Sequence, residues 1–126
     1  MKIKPIQFIL TAIILVAIEA VYLRAMLPYF NSQVKKIQGK EITPRPYSVV
    51  IVYIIIITGL YYFIIGPNKS AKDGAFFGLV IYGIFNFTNH ALLDKYSLSL
   101  VMIDLIWGMI ICGITTLIVN YITKVF

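Results

Sequence analysis

The sequence predicts an all-α integral membrane bundle of four transmembrane helices, and three observations predict it. Of 126 residues, 60% are hydrophobic and 13% charged, against about 45–50% and about 25% in an ordinary soluble domain. Mean hydropathy is +0.91. The apolar residues fall into four long runs, each near the ~20 residues that cross a hydrocarbon layer about 30 Å thick. A soluble domain of this size lacks the polar surface it would need. The same composition excludes a disordered chain, and the single cysteine, Cys112, excludes a disulfide scaffold.

The first span covers about residues 6–28. Lys2 and Lys4 precede it, and Ala17-Ile18-Glu19-Ala20 loosely resembles a cleavage site. The apolar run exceeds the ~7–15 residues of a signal-peptide core, so a retained helix is expected. Residues 29–46 form the only long connection. Its first part, to Ile42, is expected to lie in the membrane interface as a short amphipathic segment, and Pro44-Arg45-Pro46 stops a helix before the next span. The second span covers about residues 47–66. Its isoleucine run could be a strand in water, but it is too long and lacks barrel alternation. Gly66-Pro67-Asn68 ends it as a turn. The third span covers about residues 75–93 and the fourth about 98–122, joined by the tight hairpin Asp94-Lys95-Tyr96-Ser97. The whole chain reads as one transmembrane domain, an integral multi-pass protein with both termini on one side.

Charge gives a weak orientation. The net charge of +6 is spread in short runs beside apolar segments, where basic residues meet anionic lipid headgroups. It is no nucleic-acid signature. Lys2, Lys4, Lys69, Lys72 and Lys124 fall on the terminal side, and Arg24, Lys35, Lys36, Lys40, Arg45 and Lys95 on the other. Lys35, Lys36 and Lys40 tip the balance slightly towards a cytoplasmic long loop. Membrane lipids are the expected partners, and a homo-oligomer is an open expectation.

Polar residues inside the spans carry what chemistry there is, because ionisable groups in lipid are costly. Glu19 and Asp104 are the acids; the third span adds Asn86, Thr88, Asn89 and His90. At 1.5 Å per residue, Glu19 and Asn86 lie about 3 Å from the middle of their spans, and Asn89 and Asp104 roughly 8–9 Å, all towards the long-loop side. At 100° per residue, Gly74, Gly78, Tyr82, Asn86 and Asn89 share one face of the third helix. Asp104, Trp107, Gly108, Cys112 and Thr115 share a face of the fourth, and Ala12, Leu15, Glu19, Tyr22 and Leu23 one of the first. These faces should meet. Gly74-xxx-Gly78 suits close helix packing more than dimerisation.

Glu19 is expected either to bond Asn86 or Tyr22 within the bundle or to hold a proton, cation or ligand. Asp104 carries the same pair of readings. Trp107 is too deep for an interfacial belt, so either a packing role or an indole N–H to Asp104 is expected. Asn86 and Asn89 read as interhelical hydrogen-bond groups, His90 as solvated, and Arg24 as snorkelling. The glycosylation patterns at Asn68 and Asn86 should go unused. With one His and one Cys, no metal site is expected, nor any cofactor. No nucleophile and no phosphate-cradling loop stands out.

The stretch from Gly74 to Gly108 resembles the signature of an uncharacterised family of four-span predicted membrane proteins of bacteria and some large DNA viruses. That family carries an acid in the first span, then Trp and Leu; the counterpart here is Glu19-Ala20-Val21-Tyr22-Leu23. Its third-span pattern, Gly-x-x-x-Tyr-Gly-x-Tyr-Asp-Leu-Thr-Asn, matches Gly78 to Asn89 with Asn86 in place of the acid. Its Asp-x-x-Trp-Gly is intact from Asp104 to Gly108. Tyr29, Gln33, Tyr53, Gly59 and Pro67 also fit. The resemblance implies four helices and an inward polar cluster, and supplies no activity. The missing acid at Asn86 argues against a three-carboxylate metal mechanism.

The expected function is therefore non-enzymatic. A buried cluster of Glu19, Tyr22, Tyr82, Asn86, Asn89, Asp104 and Trp107 would bind a lipid or small polar ligand, or the protein would scaffold a membrane assembly such as a viral internal membrane. The alternative is a small proton-coupled transporter using Glu19 and Asp104. Small multidrug transporters share its size, span number, balanced loop charge and first-span acid, though not their wider sequence pattern.

Overall fold

The four apolar runs are four helices in a computed structural model that describes residues 4–125. Helix α1, Pro5–Gln38, starts with proline in its first turn, where the missing N–H costs nothing. It ends at Gly39, whose φ of 82° is the left-handed conformation that glycine adopts freely. The Gly39 N–H closes the last turn on the Lys35 carbonyl at 2.9 Å, and Lys35 and Lys36 lie against the negative end of the helix. Pro28 sits inside it. The stretch from Tyr29 to Gln38 is thus a continuation of α1, not a separate interfacial segment. At 1.5 Å per residue, α1 is about 51 Å long, well beyond the hydrocarbon layer.

Helix α2, Pro46–Leu60, again begins with proline. It runs into a π-helical turn, Tyr61–Ile65, closed by Gly66 N–H on the Tyr61 carbonyl at 2.7 Å. Asn68, at φ 64°, completes the connection. Helix α3, Ala71–Leu92, opens with a reciprocal cap in which Asp73 N–H donates to Ser70 Oγ at 3.2 Å and Ser70 N–H to Asp73 Oδ2 at 3.3 Å. Helix α4 is Leu98–Val125. The described residues contain no strand.

All four helices are long and apolar enough to span a membrane. Their outward residues are apolar too: Ile51 is 50%, Ile54 58%, Ile55 64% and Phe76 63% exposed. In lipid such a surface needs no protein cover.

The tightest packing joins α3 to α4. A Cβ at Gly78 would overlap the Gly108 carbonyl, one at Gly74 would overlap Thr116 Oγ1, and one at Gly108 would overlap the Tyr82 ring. The Gly74–Gly78 pair therefore serves packing within the chain. Helix α1 lies on α4, and α2 leans on α1 and on the ends of the others through its π turn. The main core gathers Leu15, Ile57, Leu60, Ile64, Ile65, Ile111, Cys112 and Val119. A smaller cluster at the long-loop end packs Tyr96, Leu100 and Val101 against Tyr29, Phe30 and Ile37 of the extended α1.

Candidate functional site

The three faces expected to converge do so. The buried residues of α3 are Gly74, Gly78 and Asn86, and on α4 Gly108, Cys112 and Thr115 are buried. On α1, Leu15 and Glu19 are buried, but Leu23 is 40% exposed and so departs from the expected face.

Two hydrogen-bonded groups result. In one, the Trp107 indole N–H donates to Glu19 Oε1 at 3.3 Å. The Tyr22 ring stacks on Trp107 with centroids 3.9 Å apart and planes 6° from parallel. The Tyr22 hydroxyl is buried and has no partner among the described residues. In the other, Asn86 Nδ2 donates to Asp104 Oδ2 at 2.6 Å and to the Tyr82 carbonyl at 2.8 Å. Tyr96 completes Asn86 by donating its hydroxyl to Oδ1 at 2.7 Å. Burial pushes the Tyr96 phenol above its ordinary pKa, so at neutral pH it stays a donor. His90 Nδ1 and the Tyr96 carbonyl lie 2.7 Å apart, which fixes the hairpin that presents Tyr96.

Two expected pairings are corrected by this geometry. Trp107 bonds Glu19 and not Asp104, and Glu19 bonds Trp107 rather than Asn86 or Tyr22. Asp104 and Trp107 are three residues apart on one helix and stand almost a turn apart in depth; each reaches across to a neighbouring helix. Asn86 is fully buried, which leaves its glycosylation pattern out of reach. Asn89, half-buried, lies next along the same face, and His90 is exposed.

Glu19 is only 6% exposed, yet it borders a cavity of about 330 Å³ with Ser48, Val52, Tyr53 and Tyr82. A neighbouring cavity of about 470 Å³ runs between α2 and α3 along Ile55, Gly59, Phe63, Phe77, Ile81 and Phe85, with Asp104 at its inner edge. Val52, Ile56 and Tyr82 border both. Together they form one furrow, largely apolar along its length, with Glu19 bordering one part and Asp104 the other. Each carboxyl accepts from a neutral donor, Trp107 or Asn86, through one oxygen.

Tyr53, Tyr96 and the aromatic wall of α3 were not read as site residues from the sequence. Tyr53 carried one signal, its place in the family-like pattern. Tyr96 carried none, because only the hairpin's fold brings it to a residue ten positions earlier. Among the described residues no three His, Cys, Asp or Glu side chains converge on a metal-sized site.

Comparison with curated proteins gave no match, and comparison with solved structures gave none. The family model described as "Predicted membrane protein (DUF2177)" matches residues 5–121. With four helices able to span a bilayer and a family match over nearly its whole length, the chain is a multi-pass integral membrane protein that belongs to the family of predicted membrane proteins DUF2177.

Proposed function

We propose that the protein binds one amphiphilic molecule in the furrow between α2 and α3, its hydrocarbon part along Ile55, Phe63, Phe77 and Phe85 and its polar end at Glu19 and Asp104. The observation that carries this reading is continuity. The same side chains, Val52, Ile56 and Tyr82, border both the apolar stretch and the cavity that holds Glu19. A ligand arriving sideways from the bilayer would keep its chain in apolar surroundings while its polar end met the acids. Sites for small molecules have this make-up, mostly apolar walls with a few convergent polar groups. The proton-coupled transporter reading rests on the two acids alone and accounts for no part of the aromatic wall.

The test is native mass spectrometry of the protein released from lipid nanodiscs, beside its Val52→Phe and Asp104→Asn variants. Val52 borders both cavities and is 58% exposed, so phenylalanine there blocks the furrow without entering the core. The expected result is one adduct of lipid-like mass on the wild type, lost in Val52→Phe and weakened in Asp104→Asn. A bare wild-type protein, or an adduct indifferent to Val52→Phe, would end this reading. Proton flux in liposomes that Glu19→Gln abolishes would put the transporter in its place.

A further inference from the structure

Resting on the furrow as a binding site, we propose that its ligand carries a protonated amine, held by the second oxygens of Glu19 and Asp104. Each acid is half used. Glu19 Oε1 accepts the Trp107 indole N–H and Asp104 Oδ2 accepts the Asn86 amide, and among the described residues these are the hydrogen bonds that the two carboxyls receive. Both donors are neutral, so neither bond offsets a negative charge. Glu19 is more than nine-tenths buried and still borders the cavity, so the little of it that is not covered by the bundle is at the furrow. A carboxylate there is costly without a cation and a donor. An ammonium group supplies both, with three N–H donors for oxygens that have none.

The aromatic surroundings point the same way. Tyr53 and Tyr82 border the Glu19 cavity, and ring faces attract cations that have left water. The nearest basic residue along α1 is Arg24, which borders a different cavity at the long-loop end, with Lys35 and Glu41. The furrow thus has anionic and aromatic elements and no cation of its own among the residues that border it. An anionic or phosphate-bearing headgroup would meet uncompensated acids there. A neutral alcohol would fill the space and leave the charge unanswered.

The experiment uses the whole protein in phosphatidylcholine nanodiscs and the fluorescence of Trp107, the one tryptophan in the chain and a hydrogen-bond donor to Glu19. Three probes share a long alkyl chain that carries a bromophenyl group beside the head as quencher, and differ in the head: primary amine, trimethylammonium or alcohol. The amine is expected to quench saturably at a mole fraction roughly tenfold below the alcohol's, a gap of about 1.4 kcal/mol. The trimethylammonium head, charged but without N–H, should fall between them. The preference for amine should shrink to less than about twofold in Glu19→Gln/Asp104→Asn. Equal, saturable quenching by amine and alcohol, still blocked by Val52→Phe, would overturn the amine and leave the furrow reading standing. Quenching that neither saturates nor responds to Val52→Phe would overturn both. An amine preference that survives the double variant would remove the two acids from the site. If that variant does not fold, the ranking of the three heads on the wild-type protein decides alone.

Discussion

Helix α3 has two faces, and its two neighbours meet them in opposite ways. Towards α4 it presents Gly74 and Gly78, and the backbones approach until an added Cβ at Gly78 would overlap a carbonyl of α4. Towards α2 it presents Phe77, Ile81 and Phe85, and the helices part around a cavity of about 470 Å³. Water does not drive helices together inside a bilayer, since lipid chains are as apolar as leucine. Association then comes from close packing of small residues and from polar pairs. The α3–α4 seam has both, the glycines and the Asn86–Asp104 bond. The first turns of α2 have neither, for residues 49–52 are valine and isoleucine and all are exposed. Helix α2 is held instead at its far end, where Leu60, Tyr61, Ile64 and Ile65 are buried. A π turn there is a form common at functional sites. The seam is built to close and the furrow to stay open.

The strongest way to break that contrast is Gly78→Val. The added carbons collide with backbone, which cannot rotate away, so the seam must spread. The expected cost is about 3 kcal/mol, the upper part of the overpacking range, read as loss of the folded fraction in a denaturant titration in mixed micelles. Gly83→Ala is the contrast: its Cβ would meet only the Leu105 side chain at 3.4 Å, and less than about 0.5 kcal/mol is expected, as for substitutions that create neither a cavity nor an overlap. Equal losses at the two positions would mean that the seam is not where the bundle's stability lies.

Next in size is Asn86→Leu. It strips Asp104 and the Tyr96 hydroxyl of their partner at once. A buried polar group left unsatisfied costs about 1–3 kcal/mol, so a loss of about 2–3 kcal/mol is expected in the same titration. Asn86→Leu together with Tyr96→Phe should recover part of it. No recovery would show that the Tyr96 bond adds nothing to the seam.

Much of this was legible in the sequence, and the part that was not has a common cause. Helices were legible because hydropathy over twenty residues needs no tertiary context, and the faces of α3 and α4 because 100° per residue does not either. The Ser70/Asp73 cap was there to be found as well, but hydropathy begins the third span at about residue 75 and passes over it. The extent of α1 was not legible at Pro28, which in water would argue for a helix end. In a membrane protein the freed backbone group finds other partners, and the docking of Tyr29, Phe30 and Ile37 on the hairpin rewards continuation. The partners of the acids were not legible because depth was. Trp107 stands level with Glu19 and Asp104 level with Asn86, a matter of how far one helix slides along another. The furrow was hidden for the same reason: a sequence shows which residues are apolar, not which apolar faces fail to touch.

Filling the furrow sharpens the comparison from its open side. Val52→Phe should change folding stability by less than about 0.5 kcal/mol, as surface substitutions do, while it removes the bound amphiphile. A variant that destabilised the fold as much as Asn86→Leu would make the furrow part of the core and not a vacancy kept beside it.

The smallest pairwise coupling is expected where α1 leaves the bilayer. Ser97 does two things there: its Oγ accepts the Leu100 N–H at 3.1 Å, a cap on the first turn of α4, and its hydroxyl donates to Gln33 Oε1 at 2.8 Å, a tether to α1. Gln33→Ala cuts only the tether, and Ser97→Ala loses both. The cap is worth about 1 kcal/mol and a net hydrogen bond about 0.5–1.5 kcal/mol. Ser97→Ala should therefore cost more than Gln33→Ala, and their double-mutant cycle should return a coupling near 0.5 kcal/mol, the low end for residues in contact. Neither variant touches the furrow, so ligand binding should be unchanged in both. A coupling of zero would reduce the long arm of α1 to a passive extension. A coupling accompanied by altered ligand binding would mean that the arm sets the position of α1, and with it Glu19, at the furrow's edge.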